Sequence, residues 1–245
     1  MLVTIVGLLG FISSFLSNLS GGAGSLILLP ALLALGVEPI IAIGTIKFAG
    51  LGIVLGTNAG TRQKGLVRKE HLVPLLIVAT LASIIGPQLS LHMGAHAVKI
   101  VSSVLIIITA LFSLFSWRKS ADSHKVSKKQ EYIGYGLYFL ATLALAGFGS
   151  GVGLISTYVL MSVIGLSALE AVGTRRAAGL VAAPLQLIPF MLYGKVDYGL
   201  GIALLIGSFA GGYLGLKLAI KGGNEFVKRC MAAASIILLI AAFAK

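Results

Sequence analysis

A single cysteine, Cys230, stands in the whole chain, so neither an internal disulfide nor a cysteine-ligated metal cluster can form. Acid is nearly as scarce: seven Asp and Glu stand against nineteen Lys and Arg, and charged residues make up only 11% of the chain. There are four histidines and no His-Glu-x-x-His, which removes the usual metal-hydrolase signature. Ser150 lies in Gly-Phe-Gly-Ser-Gly, but Phe148 stands where a nucleophile elbow needs glycine, and no histidine falls in a neighbouring apolar segment to act as base. An enzyme is not expected, nor is a cofactor or a metal site. Long polar stretches are missing too. The longest, Ser116 to Glu131, has the length of a linker rather than a soluble domain. The net charge of +12 therefore has no folded polar surface on which to meet nucleic acid. Cations concentrate in Thr61–His71, Trp117–Glu131 and Lys217–Arg229, as expected of cytoplasmic loops under the positive-inside rule.

What fills the 245 residues is apolar: 58% are hydrophobic and the mean hydropathy is +1.04. Runs of this length can cross about 30 Å of hydrocarbon, so the expected class is an all-α polytopic membrane protein in contact with the lipid bilayer. The opening Met1-Leu-Val-Thr-Ile-Val lacks a basic leader region and reads as a retained helix.

The chain also repeats itself. Gly44, Thr45 and Lys47 recur as Gly173, Thr174 and Arg176, an offset of 173 − 44 = 129 residues. The same offset aligns Gly22 and Gly24 with Gly151 and Gly153, Gly36 with Gly165, Gly65 with Gly194, and Gly86 with Gly215. Residues 1–117 and 132–245 thus read as two homologous repeats joined by a basic linker, 118–131. Each divides into five apolar segments, the second only about 13 residues long and preceded by a glycine knot. Glycine clusters interrupt helices, and irregular backbone at membrane depth is tolerated only where protein buries it or it lines a cavity. Loop charge differs between equivalent loops. Arg62, Lys64, Arg68 and Lys69 follow the third segment of the first repeat, whereas Lys195 and Asp197 cancel in the second. An inverted 5+5 arrangement predicts that difference, with the chain start outside and the linker inside. The alternative, eight crossings arranged 4+4 with the short segments dipping in and out, does not.

Three cations fall inside the apolar segments: Lys47, Arg175 and Arg176. A cation at a helix centre costs roughly 2.5–3.5 kcal/mol to insert, so the three together cost on the order of 8–10 kcal/mol before partners are counted. Only Glu38 and Glu170 lie in or at the edge of these segments, too few to neutralise them. A small anionic substrate would supply the missing charge. The candidate substrate-binding set is Gly22, Gly24, Gly44, Thr45, Lys47 and Asn58 in the first repeat. In the second it is Gly151, Gly153, Gly173, Thr174, Arg175, Arg176 and Gln186. The threonines and the amides of Asn58 and Gln186 would donate hydrogen bonds, and the knots would offer backbone N–H groups. Glu170 is the candidate for proton coupling, with sodium as the other possible driving ion. Gly207, Gly211, Gly212 and Gly215 have the spacing of close helix packing instead.

At the glycine knots and Gly-Thr pairs the chain resembles the sulfite exporter TauE/SafE family of membrane permeases. The first half carries GGAGSLILLPALLALGVEPIIAIGT from Gly21 to Thr45, and the second carries GSGVGLISTYVLMSVIGLSALEAVGT from Gly149 to Thr174. The second copy departs from the pattern at Val159 and Ala168, where prolines would stand, and at Val152 within the glycine cluster. The resemblance implies export of a sulfur-containing or organic anion, such as sulfite or a sulfonate, across a bacterial inner membrane. A secondary transporter working by alternating access around a midplane cationic site is the function expected. The alternative is a non-transporting membrane scaffold, or a channel-like protein for anions.

Overall fold

The computed structural model describes residues 2–61, 65–116, 123–149 and 153–243, and among these it contains helices and no strands. In chain order the helices are α1 (Leu2–Leu19), α2 (Ser25–Ala34), α3 (Pro39–Thr61), α4 (Lys69–Leu91), α5 (Ala95–Ser116), α6 (Lys128–Phe148), α7 (Gly153–Ser162), α8 (Ala168–Leu192) and α9 (Tyr198–Phe243). Among the described residues, four stretches are both long and apolar enough to cross a bilayer: Leu2–Leu19 of α1, Pro39–Gly60 of α3, Lys69–Leu91 of α4 and Tyr198–Ala233 of α9. α9 is not one continuous rod: Gly223, at φ 78° and ψ −178°, breaks it into two arms. Ser150, Gly151 and residues 117–122 of the linker lie outside the described residues.

The short segments are shorter than expected, ten residues each for α2 and α7. At 1.5 Å per residue each is about 15 Å long, half of what a span needs. α2 begins beside the middle of α1, where the Ser13 hydroxyl donates to the Gly24 carbonyl at 2.8 Å. The chain has therefore doubled back beside α1.

Particular features recur 129 residues apart in the structure. Helix ends recur in equivalent conformations, Gly36 and Gly165 at φ 83° and 84°, and Gly65 and Gly194 at 61° and 63°. Contacts recur reciprocally. The Arg68 amide donates to Thr174 Oγ1 at 3.0 Å, and the Asp197 amide donates to Thr45 Oγ1 at 3.0 Å. Gly173 packs on the Leu66 carbonyl just as Gly44 packs on that of Lys195. α1 packs on α9 and α6 on α4, so each half's first helix rests on the other half's fourth segment.

Small residues make those contacts close. Gly207, Gly211 and Gly215 of α9 meet the backbone of Gly7, Phe11 and Phe15, and Gly52 and Gly56 of α3 meet that of Leu205 and Phe209. Between helices in lipid there is no hydrophobic drive, and close backbone approach supplies the dispersion energy instead. Leu8, Val73, Ile77, Leu81, Ile202 and Ile206 point outward and are exposed, whereas the three cations are buried. Polarity runs opposite to that of a soluble protein, and lipid is the solvent that fits it.

One ion pair ties the halves at the end where α8 begins. Glu170 closes a capping box with Ser167, its Oε2 accepting from the Ser167 amide at 2.9 Å, while Oε1 accepts from Arg68 Nε at 2.8 Å. Replacing Glu170 with alanine removes a cap, at about 0.5–2 kcal/mol, and a half-exposed pair worth about 0–1 kcal/mol. The expected result is a melting temperature lower by several degrees in detergent, at about 2–4 °C per kcal/mol for a chain of this size. An unchanged melt would show that neither contact forms.

Candidate functional site

Two helices from different halves supply the cations. Lys47 sits on α3 and Arg175 and Arg176 on α8, all three in the apolar interior of their helices. Because α3 and α8 pack directly on each other, the three side chains converge on one cavity of about 90 Å³. At roughly 10–15 Å³ for each water on this measure, that is room for about half a dozen waters or one small anion. Ser13, Ser14 and Ser17 of α1 complete the wall, together with Gly22, Gly153 and Gln186.

Hydrogen bonding in the cavity is incomplete. Lys47 Nζ donates to the Leu145 carbonyl at 2.9 Å, reaches Gln186 Oε1 at 3.5 Å, and lies 5.8 Å from the centre of the Phe190 ring. Arg176 Nη2 donates to Ser17 Oγ at 3.0 Å, and Arg175 Nη2 reaches the Gly21 carbonyl at 3.4 Å. Among the described residues, neither arginine finds an acceptor for its buried Nε–H. The ion pairs among the described residues, Arg68–Glu170 and His71–Glu70, involve none of the three cations. All the acceptors they do find are neutral oxygens. Buried charge in that condition is strongly unfavourable, and an anion entering the cavity would relieve it.

The glycine knots meet at this point. Gly22 lies against the backbone of Gly153 and Leu154, and Gly153 lies against Arg175 and Gly22. The start of α7 is thereby brought to the cavity with its N-terminal end, where free N–H groups and the positive end of the dipole favour anions.

Of the residues singled out from sequence, Gly22, Lys47, Gly153, Arg175, Arg176 and Gln186 line this cavity together. Gly24 does not; it is the seat of the α1–α2 contact, packed on the Ser13 carbonyl. Thr45 and Thr174 spend their hydroxyls accepting from the loop amides of Asp197 and Arg68, and Gly44 and Gly173 make room for those loops. They anchor loops and do not face the cavity. Asn58 ties α3 to α8, donating to the Arg176 carbonyl at 2.9 Å. Glu170 lies at the start of α8, paired with Arg68 and outside the cavity lining. Gly151 lies outside the described residues.

The α1 serines were not anticipated. Their signal was present, since four of the six residues from Ser13 to Asn18 are polar within an otherwise apolar helix. Asn18 has a separate task, donating to Thr57 Oγ1 and to the Gly212 carbonyl, each at 2.7 Å, and so tying α1 to α3 and α9.

Residues 6–242 match the family described as "Sulfite exporter TauE/SafE". Among curated relatives, a "Probable membrane transporter protein" of Haemophilus influenzae is 26% identical over 93% of this chain and 89% of its own length. "Probable membrane transporter protein YjnA" of Bacillus subtilis is 27% identical over 98% of both chains. "Probable membrane transporter protein YfcA" of Escherichia coli is 21% identical over 97% of this chain and 88% of its own. No solved structure matches.

Proposed function

The chain belongs to the sulfite exporter TauE/SafE family and is a multi-pass bacterial membrane transporter, and from that premise we propose that its cargo is a small sulfur-containing or organic anion, such as sulfite or a sulfonate. The observation that carries the cargo assignment is the convergence of Lys47, Arg175 and Arg176 on one cavity without a carboxylate partner among the described residues. The anion's oxygens would accept from Lys47 Nζ and from the guanidinium N–H groups, including the two Nε–H groups left without acceptors. Ser14 and Ser17 of α1 and the amide of Gln186 would complete its hydrogen-bonding shell.

Movement of the anion would come from rocking of the two repeats, 1–117 and 132–245, about this site. Two features support an inverted relation between them, beyond the two-fold relation that the reciprocal contacts imply. Equivalent loops carry unequal positive charge. The cation-bearing helices come one from each half, as in transporters built from inverted repeats. Export driven by a proton or sodium gradient is the working form of this reading, in the cytoplasmic membrane.

Thermal-shift screening of the purified protein tests the cargo. Sulfite, sulfate, thiosulfate, sulfonates and small carboxylates are added in turn to wild type and to Lys47→Ala. A cargo present at 100 times its Kd stabilises by about 2.7 kcal/mol, which is a shift of several degrees. At least one of these anions is expected to give that shift in wild type and a much smaller one in the variant. If no anion shifts the wild-type melt, the cavity is not an anion site.

A further inference from the structure

A second cavity, of about 80 Å³, adjoins the first, and Gly50, Leu145, Arg175, Arg176 and Gln186 line both. Three of the eight remaining wall residues stand 129 residues after residues of the first cavity's wall. Thr142 stands at the position of Ser13, Gly179 at that of Gly50, and Ala182 at that of Ile53. The two cavities are thus two lobes of one duplicated site, the first built on α1 and α3 and the second on α6 and α8.

The lobes have diverged. The first holds Lys47 and three serine hydroxyls besides the shared arginines. The second holds no cation of its own, because Arg176, which corresponds to Lys47, already faces both. Its matching wall residue is reduced from Ile53 to Ala182; Val54, Ala79 and Ala183 add apolar surface, and Thr142 and Ser156 bring neutral hydroxyls, so that what the second lobe lacks is the lysine. Tyr138, buried and joined to Thr142 by a side-chain hydrogen bond, forms another part of that wall. A charged group gains most from the first lobe, where three cations and three hydroxyls surround it. Space cleared of a side chain and walled with alanine suits an uncharged group instead.

Building on the anion reading above, we propose that the second lobe is a specificity pocket for the organic substituent of the transported anion, with Ala182 and Tyr138 as its specificity-determining residues. The charged oxygens lie in the first lobe against Lys47, Arg175 and Arg176, and a short carbon chain extends past the arginines into the second. A bare inorganic oxyanion fills only the first lobe and forgoes the second.

Binding of sulfite, methanesulfonate, ethanesulfonate and propanesulfonate to the full-length protein in detergent tests this assignment, with isothermal calorimetry as the readout. In wild type, affinity is expected to rise along the sulfonate series, by roughly tenfold for each methylene that enters the lobe. Ala182→Ile restores at this position the side chain present in the first lobe. It is expected to hold sulfite within about twofold and to erase the gain with chain length. Tyr138→Phe, which keeps the ring and the packing, is expected to leave sulfite binding intact and to alter only the ranking of the sulfonates. A flat or falling series in wild type overturns the specificity pocket whether or not Ala182→Ile folds, and sulfite binding then leaves the anion site standing. Equal loss of sulfite and sulfonates in Ala182→Ile also overturns it. Failure of every anion to bind wild type removes both proposals.

Discussion

Replacing Arg176 with alanine is expected to abolish anion flux through the protein while leaving it folded, and to raise its melting temperature rather than lower it. The two effects share one cause. Arg176 is buried, donates to a neutral serine oxygen at 3.0 Å, and carries an Nε–H with no acceptor among the described residues. Holding such a cation in the membrane interior costs roughly 2.5–3.5 kcal/mol, and its removal returns much of that. An anion bound against it, however, loses a desolvated charge partner, which typically costs 2–5 kcal/mol. At 1.4 kcal/mol per tenfold, affinity falls roughly thirtyfold to several thousandfold. Arg176→Lys retains the charge without the planar fork and should fall between wild type and alanine. Flux in proteoliposomes loaded with labelled sulfite, measured beside melting in detergent, reads both signs. A residue kept only for structure would move both downward, and unchanged flux would remove Arg176 from the site.

The sequence carried the site's charge more clearly than its walls. Lys47, Arg175 and Arg176 stand out because cations are so costly in apolar helices that each demands an explanation. Gln186 was readable from its spacing eleven residues beyond Arg175, about three turns along one face. Thr45 and Thr174 misled for a definite reason. A hydroxyl beside a buried cation can donate to cargo or accept from a loop, and only the position of Arg68 and Asp197 decides between these. Those partners come from the other half of the chain, 106 and 152 residues away, where no local pattern reaches. The serines of α1 were hidden by the same distance, since their helix touches the cations only after the halves have packed. The helix order, by contrast, was legible, including the short segment that follows each glycine knot. Glycine, proline and charge mark each boundary, and these act within a turn or two of where they stand. The 129-residue offset reappears in particular contacts, Arg68 with Thr174 and Asp197 with Thr45.

Gly22→Ala should be among the damaging single methyl groups that can be added to this protein, because it meets both backbone strain and a main-chain clash. Gly22 adopts φ 127°, a conformation L side chains rarely take, and a backbone held there by a non-glycine residue costs about 1–3 kcal/mol. The new Cβ would also stand 2.5 Å from the Gly153 carbonyl carbon, 2.8 Å from the Leu154 amide nitrogen and 2.9 Å from the Gly153 oxygen. These are main-chain atoms of the opposite half and cannot swing aside as a side chain would. Overpacking adds about 1–3 kcal/mol or more, so the sum reaches several kcal/mol out of the roughly 5–15 kcal/mol that hold a typical domain together. Gly36→Ala separates the two contributions. Gly36 has φ 83° but nothing within 4 Å of its would-be Cβ, so it bears backbone strain alone, about 1–2 kcal/mol. Melting of the two variants should therefore differ by many degrees, with Gly22→Ala poorly recovered from membranes and inactive because the knots also floor the cation cavity. Similar melts for the two would mean that the halves do not meet at Gly22 and Gly153, and the cavity between them would lose the contact that shapes it.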